Sequence, residues 1–305
     1  MPVLTATADR PDCTVVVVTH QSEHHLDGLL DSLDTSGASV RVVVVDNAST
    51  DATVARARAR TGVVVIASDL NGGYARGINL GRRSADPTRP LLVANPDLRF
   101  HHGAIEALLD AIEDPTVGIA VPRLVDGSGR VLRSLRREPS IRRELGEAVF
   151  GDHLPRRPGW LSEIVRDDRR YRSPGDVDWA TGAAMMITPA ADRAITAWDE
   201  SYFLYSEEVD AAARVRAAGL RIRFVPTATA EHDGGGSGSS PALVALQAVN
   251  RVRYFERRHG AVPSAVHRSV VALHEASRGF DPARRAAARI VLRRERWTAL
   301  PGPSR

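Results

Sequence analysis

The chain has 305 residues, 43% of them apolar, with a formal net charge of +4. That apolar share over that length is enough to bury a core as one large domain, with or without a helical tail, and excludes disorder of the whole. No apolar run reaches the roughly 18 to 20 residues that span a bilayer, and the N-terminus lacks the basic-then-apolar order of a secretory signal, so a cytoplasmic location is expected.

All 41 basic side chains are arginine, a bias that reflects genomic base composition as much as phosphate binding; no nucleic-acid partner is expected. The single cysteine, Cys13, excludes an internal disulfide and a thiolate metal cluster.

The first hundred residues alternate short β-branched runs (Thr14–Val18, Val40–Val45, Val63–Ala67, Leu91–Ala94) with stretches of helical period, the pattern of βαβ units on a parallel sheet. Leu26, Leu29, Leu30 and Leu33 behind a Ser22 cap predict a helix over 22–33, and a second helix is expected over 51–60. Between 126 and 176 the sequence is arginine-rich and punctuated by Pro139, Pro155, Pro158 and Pro174, which reads as a mobile insertion. Regular structure resumes at Val177, with a helix over 210–218 ended by Gly219 and a strand over 221–225. A glycine and serine run, 234–240, then sets off a helical tail over 241–305. The expectation is an α/β fold, a single Rossmann-like domain over 12–233 with a mostly parallel central sheet.

In open parallel sheets, ligands bind beyond the carboxyl ends of the strands. Thr19-His20, Asp46-Asn47, Asp69 to Tyr74 and Asn95-Pro96-Asp97 follow the four valine-rich runs and so converge on one edge. Asp46 to Asp51 offers a carboxylate for a base or ribose and a helix start that favours an anion, or plain capping by Ser49, Thr50 or Asp51. Asn71-Gly72-Gly73-Tyr74 lets backbone approach a ligand and is followed by Arg76 and Asn79, or is an ordinary turn. Asn95 and Asp97 place two oxygen ligands two residues apart, as a hard cation needs, or form an Asx-Pro turn.

Later in the chain, Glu207, Glu208 and Asp210 set three carboxylates within four positions at a helix start. The helix dipole accounts for one or two of them, and two adjacent acids in an apolar pocket also separate in pKa, leaving one as a general base. His232, shortly before Gly234 to Gly238, is a metal ligand or phosphate partner, or a surface histidine beside a linker.

Taken in order, VVVVDNASTD (42–51), NGGYARGIN (71–79), NPD (95–97), VDWATGAAMMI (177–187), YFLYSEEVD (202–210) and NRVRYFERRHG (250–260) resemble the nucleotide-sugar glycosyltransferases of family 2, in particular their bacterial rhamnosyltransferase-like branch. The resemblance spans roughly 14–260. It implies a GT-A fold with a nucleotide-binding half over 12–125 and an acceptor half over 177–233. It implies inverting transfer of a sugar, with dTDP-rhamnose the favoured donor, to a hydroxyl of a glycan, lipid-linked or small-molecule acceptor. Thr19, Asp46, Asn71, Gly73 and Arg76 would lie around the nucleotide. Asp97 would hold Mg²⁺ or Mn²⁺, with Asn95 in place of the first acid of a DxD motif, and His232 would touch the metal or the diphosphate. Glu208 would be the base, Glu207 a structural or orienting neighbour, and Trp179, Thr181 and Gly182 would shape the acceptor or sugar pocket.

Two rival readings remain at this level. A sugar nucleotidyltransferase would carry a glycine-rich basic loop directly after its first strand, where this chain has Thr19-His20-Gln21-Ser22. A noncatalytic relative would hold a nucleotide sugar without turnover. The stretch 278–296 contains seven arginines around Ile290, Val291, Leu292 and Trp297, suited either to an anionic membrane surface or to a solvated helix.

Overall fold

A computed structural model describes residues 11–151, 154, 157–234 and 240–302. Each valine-rich run forms a strand: β1 (Cys13–Thr19), β2 (Val40–Asn47), β3 (Val63–Ser68) and β4 (Leu91–Ala94), separated by α1 (Leu26–Asp34), α2 (Thr53–Ala59) and α3 (Tyr74–Arg82). There follow β5 (Leu98–Phe100), α4 (Ala104–Ala111), β6 (Val117–Val125), β7 (Leu135–Arg136), α5 (Ile141–Phe150), β8 (Gly175–Val177), β9 (Trp179–Ala180), β10 (Ala184–Ile187), α6 (Pro189–Ile195), α7 (Glu207–Ala217) and β11 (Arg221–His232). The tail is α8 (Pro241–Glu256), α9 (Ala261–Ser277) and α10 (Pro282–Leu292).

The main sheet runs β3-β2-β1-β4-β10-β6-β11-β5, with β8 on the flank of β11. The pairs β3/β2, β2/β1, β1/β4 and β6/β11 are parallel, whereas β10 is antiparallel to both of its neighbours. That reversal, one of three in the sheet with those of β5 and β8 against β11, brings the start of β10 to the edge where β1, β2 and β4 end. Alternation along the buried strands supplies two cores: Val16, Val18, Val43 and Val45 face α3, and Val15, Val17, Val42 and Val44 face α1 with its four leucines. Helix α3 lies unusually close to β1, because a Cβ at Gly77 or Gly81 would come within 2.4 or 2.5 Å of the Val18 or Val16 side chain. The tail helices close a third cluster around Val249, Val252, Val271, Val291 and Trp297.

The structure departs from the sequence reading in four places. Helix α1 begins at Leu26, not Ser22, and its first turn has no side-chain cap. The Ser22 hydroxyl instead lies 3.3 Å from both the N–H and the carbonyl of His20, and the Ser22 N–H donates to Thr53 Oγ1 at 2.8 Å. Strand β11 continues past Val225 to His232, because Pro226 falls in a register shift of the β11/β6 ladder and does not end it.

The stretch 126–176 contains more regular structure than its composition predicts, including α5 with Ser140 accepting from the Arg143 N–H as its cap. Its arginines are partly ion-pair partners: Glu147 pairs with Arg157 and with Arg166 at 3.1 Å, while Glu144 pairs across to the tail with Arg251 at 2.8 Å and His274 at 2.6 Å. Pro155 lies outside the described residues, as do 235–239 of the glycine run and 303–305 of the tail. Finally, Val291 and Trp297 of the arginine-rich stretch turn into the tail core, so they are not free to enter a membrane surface. Among the described residues no helix is long and apolar enough to cross a membrane.

Candidate active site

The edge is knitted from the loops that follow the strands. Thr19 Oγ1 donates to Asp46 Oδ1 at 2.9 Å, and Asp46 also accepts from the Ser49 N–H at 2.8 Å and the Ser49 hydroxyl at 2.5 Å. Both Thr19 and Asp46 are buried, so they form the floor of the edge and shape its first two loops. Asn47 Nδ2 then donates to the Gly73 carbonyl at 3.1 Å, joining the second loop to the third.

In that third loop, Asn71 Oδ1 accepts from the Gly73 N–H at 3.0 Å. Gly73 has φ +84°, and a Cβ there would lie 2.1 Å from the Phe203 carbonyl oxygen, so only glycine fits. The next N–H, of Tyr74, donates to the same Phe203 carbonyl at 2.7 Å. Arg76 is half-buried one turn into α3 and has no ion-pair partner among the described residues. Asn79 is structural: it accepts from the Trp198 N–H and donates to the Trp198 carbonyl, both at 2.9 Å.

Tyr74 occupies the centre. Its hydroxyl donates to Asn95 Oδ1 at 2.9 Å and lies 3.1 Å from the Gly182 carbonyl, while the Asn95 N–H donates to the Ala183 carbonyl at 2.8 Å. Burial, reinforced by the charges of Glu207, Glu208 and Asp97, pushes the Tyr74 phenol well above its ordinary value. The tyrosine is therefore a fixed proton donor standing among all three acids.

Asp97 Oδ1 and His232 Nε2 are 3.3 Å apart, because His232 ends β11 directly opposite Leu98 of β5. Burial raises the Asp97 pKa, but the hydrogen bond and charge of His232 outweigh that and leave it below the usual carboxylate value. Asp97 is thus an ionised carboxylate at 5% exposure. The Asn95 amide oxygen accepts from Tyr74, so Asp97 and His232 form the pair, with Asn95 one step behind. Among the described residues no group of three or more His, Cys, Asp or Glu side chains is placed to hold a metal ion.

Glu207 and Glu208, whose charges also act on Tyr74, are the first residues of α7. Phe203, Tyr205 and Ser206, just before them, have φ of 64°, 70° and 73°, a left-handed path that costs of order 1–3 kcal/mol per residue and persists only where the surroundings enforce it. The enforcing group is Asn250 on α8, fully buried, whose Nδ2 donates to the carbonyls of Tyr202 at 2.8 Å, Leu204 at 2.9 Å and Tyr205 at 3.1 Å. Glu207 Oε2 and Glu208 Oε2 have no hydrogen-bond partner among the described residues. Burial raises the pKa of both; the charge of Glu208 lifts Glu207 further, whereas Arg136 draws Glu208 down. The pair therefore holds a proton above the ordinary glutamate range, and Arg136 favours its negative charge on Glu208. Asp210 belongs elsewhere, bonded to Arg214 and to Arg258 at 2.7 Å.

Glu208 lines a cavity of about 400 Å³ together with Trp179, Thr181, Arg136 and residues of the tail. Gly182 backs the same wall, where a Cβ would sit 3.3 Å from Glu208 Cβ. The structure thus brings together Asp97 with His232, and Glu208 with Trp179, Thr181 and Gly182, with Tyr74 near enough to both groups to feel their charges. Sequence reasoning missed the roles of Tyr74, Asn250 and Arg136. For Asn250 a signal existed, an amide flanked by Val249 and Val252 on an apolar helix face.

A family model described as glycosyl transferase family 2 matches residues 14–168. An N-acetylglucosaminyl-diphospho-decaprenol L-rhamnosyltransferase of Mycobacterium tuberculosis is 34% identical over 242 residues, covering 75% of this chain and 78% of the relative. The chain is a family 2 glycosyltransferase. The glycosyltransferase is also similar to rhamnosyltransferase WbbL of Escherichia coli, 23% identical over 226 residues, or 72% of this chain and 82% of WbbL. Among solved structures it matches the mannosyltransferase PcManGT from Pyrobaculum calidifontis in complex with GDP-Man and Mn²⁺, with TM-score 0.55 and 19% identity over 98% of this chain and 82% of that one. That likeness shows the shared GT-A fold. With the family fixed, the nucleotidyltransferase and noncatalytic readings fall away.

Proposed function

We propose that this glycosyltransferase moves rhamnose from dTDP-rhamnose to a hydroxyl of a lipid-linked glycan acceptor, with inversion and Glu208 as the base. The observation that carries the mechanism is that the charges of Glu207, Glu208 and Asp97 all act on the one buried Tyr74 phenol, so the Glu207–Glu208 and Asp97–His232 pairs lie about a single site. The rhamnosyltransferases among its relatives support the donor, and the diphospho-decaprenol acceptor of the mycobacterial relative supports the acceptor class.

Glu208 takes the proton of the acceptor hydroxyl as that oxygen forms its bond to the anomeric carbon. The bond from the anomeric carbon to the nucleotide diphosphate breaks on the opposite face, and the diphosphate leaves as an anion. Glu207, holding its proton, keeps the negative charge on one carboxylate. Arg76, without an ion-pair partner among the described residues, lies on the nucleotide side with Thr19, Asp46, Asn71 and Gly73 shaping the loops there.

Asp97 and His232 fit a divalent cation, an ionised carboxylate and an imidazole side by side with room in the shell for diphosphate oxygens and water. Such a cation, Mg²⁺ or Mn²⁺, would offset the charge on the leaving diphosphate as a Lewis acid. Asn95, engaged by Tyr74, supports this pair from behind. PcManGT, crystallised with Mn²⁺, lends support from a distant member of the same fold.

The test is Glu208→Gln, which keeps size and removes basicity. Turnover should fall roughly 10²- to 10⁴-fold while calorimetric affinity for dTDP stays at the parent value; near-parent turnover removes Glu208 from the role. Asp97→Ala should abolish the part of dTDP affinity that depends on Mn²⁺, and identical titrations with and without the substitution would remove the metal assignment.

A further inference from the structure

The cavity beside Glu208 is rich in arginine, and its carboxylates answer only part of that charge. Glu147 is matched by Arg157 and Arg166, Glu144 by Arg251 and His274, and Glu275 by Arg251 and Arg284. Arg136 and Arg278, both in the cavity wall, form no salt bridge among the described residues. Arg136 Nη1 donates to the carbonyls of Arg133 and Leu135, and Arg278 donates to those of His274 and Glu147 at 3.4 and 3.3 Å. Burial lowers the pKa of each, outweighing the opposing charges of Glu163, Glu208 and Glu147 on Arg136 and of Glu275 and Glu147 on Arg278. Glu163, in the same wall, is no counter-charge at neutral pH: burial and the charge of Glu144 raise it to about 8. Two guanidiniums of the cavity are therefore left without a direct ion-pair partner among the described residues.

We propose that Arg136 and Arg278 bind a phosphate or diphosphate carried by the acceptor sugar itself. The anion belongs to the acceptor because the donor diphosphate has its own place at Asp97 and His232, whereas whatever fills this cavity presents its hydroxyl to Glu208. Two guanidiniums suit phosphate oxygens by their fork of N–H donors, and a protonated Glu163 adds a further donor. This inference rests on the acceptor reading above and narrows it to sugars bearing a phosphate at the far end from the reacting hydroxyl. Lipid-linked sugar diphosphates and soluble sugar phosphates share that chemistry.

The site is tested on the full chain by calorimetric titration with inorganic pyrophosphate, without divalent metal. Binding by the parent should weaken by about tenfold or more in Arg136→Gln and in Arg278→Gln, the loss expected for one charge-assisted bond pair. Arg→Lys at either position should recover part of it, and Asp97→Ala should leave it unchanged; thermal unfolding of each variant checks that it folds. Equal affinity in the parent and both Gln variants, no binding by the parent, or a loss confined to Asp97→Ala overturns the proposal. The source of the phosphate is read from acceptor KM: a decyl-diphospho-N-acetylglucosamine far better than N-acetylglucosamine 1-phosphate assigns a lipid, and equal values assign a soluble sugar phosphate. Affinity of the parent for dTDP, measured alongside, separates failure of this site from failure of the glycosyl-transfer reading.

Discussion

Asn250→Ala isolates the link between the tail and the catalytic acids. The amide sits fully buried and donates to three carbonyls of the 202–205 loop. An NH₂ group has two hydrogens, so one of them is shared, and the net value is about two neutral bonds, about 2 kcal/mol at about 1 kcal/mol each. Buried carbonyls left without a donor add about 1–3 kcal/mol. Against the clamp stands the left-handed backbone of Phe203, Tyr205 and Ser206, so its removal should release the loop rather than leave it in place. We expect urea unfolding to show a loss of about 3–5 kcal/mol. Turnover should fall roughly 30-fold or more if about 2 kcal/mol of loop ordering is lost, and exchange of the Tyr74 amide hydrogen, which donates to Phe203, should quicken. Asn250→Asp, the same shape with acceptors only, should be worse than alanine. A variant that keeps parental turnover and parental protection of the Tyr74 amide would refute the reasoning.

Gly73→Ala places a Cβ 2.1 Å from the Phe203 oxygen at φ +84°, so chemical denaturation should show more than about 1 kcal/mol of destabilisation; an unchanged midpoint contradicts it. The base must be ionised to work and burial raises its pKa, so the acid limb of kcat should lie above the ordinary glutamate value of about 4.3; a limb below it excludes Glu208 as its origin. Glu163 holds a proton in the folded state up to about pH 8, and the native state therefore binds more protons than the unfolded one above the ordinary glutamate value. Its contribution to stability should be full below that value and drain away as the pH rises toward 8. Compared with Glu163→Gln by urea unfolding at pH 5.5 and 8, the parent should lose ground at the higher pH, and a constant difference would rule this out.

Much of this was legible in the sequence for a definite reason. Three of the four runs, those of β1, β2 and β4, are buried on both faces and need no partner to be recognised, and the polar residues after all four fall on one edge by the topology of parallel strands. Asp97 with His232, and Glu208 with Trp179 and Thr181, meet because the motifs that carry them end or begin strands at that edge. What was not legible depends on pairing between distant segments. Ser22 reads as a cap until Thr53 and His20 engage it. Asn95 reads as a ligand, and that the Tyr74 hydroxyl of α3 also donates to its amide oxygen shows only in the fold. The arginines of 126–176 read as irregular sequence because Arg157 and Arg166 reach Glu147 only once α5 has formed, and Glu144 finds its partners, Arg251 and His274, only in the tail.

The position of Asn250 bears on where this enzyme can be divided. By sequence the catalytic domain ends at 233 and the tail looks dispensable. Yet a chain cut there would leave the carbonyls of Tyr202, Leu204 and Tyr205 without their donor, Asp210 without Arg258, and Glu144 without Arg251 and His274. The smallest active piece should therefore extend through α8 and α9. Homologues that have exchanged their C-terminal helices for other modules would need a new amide to reach the same loop.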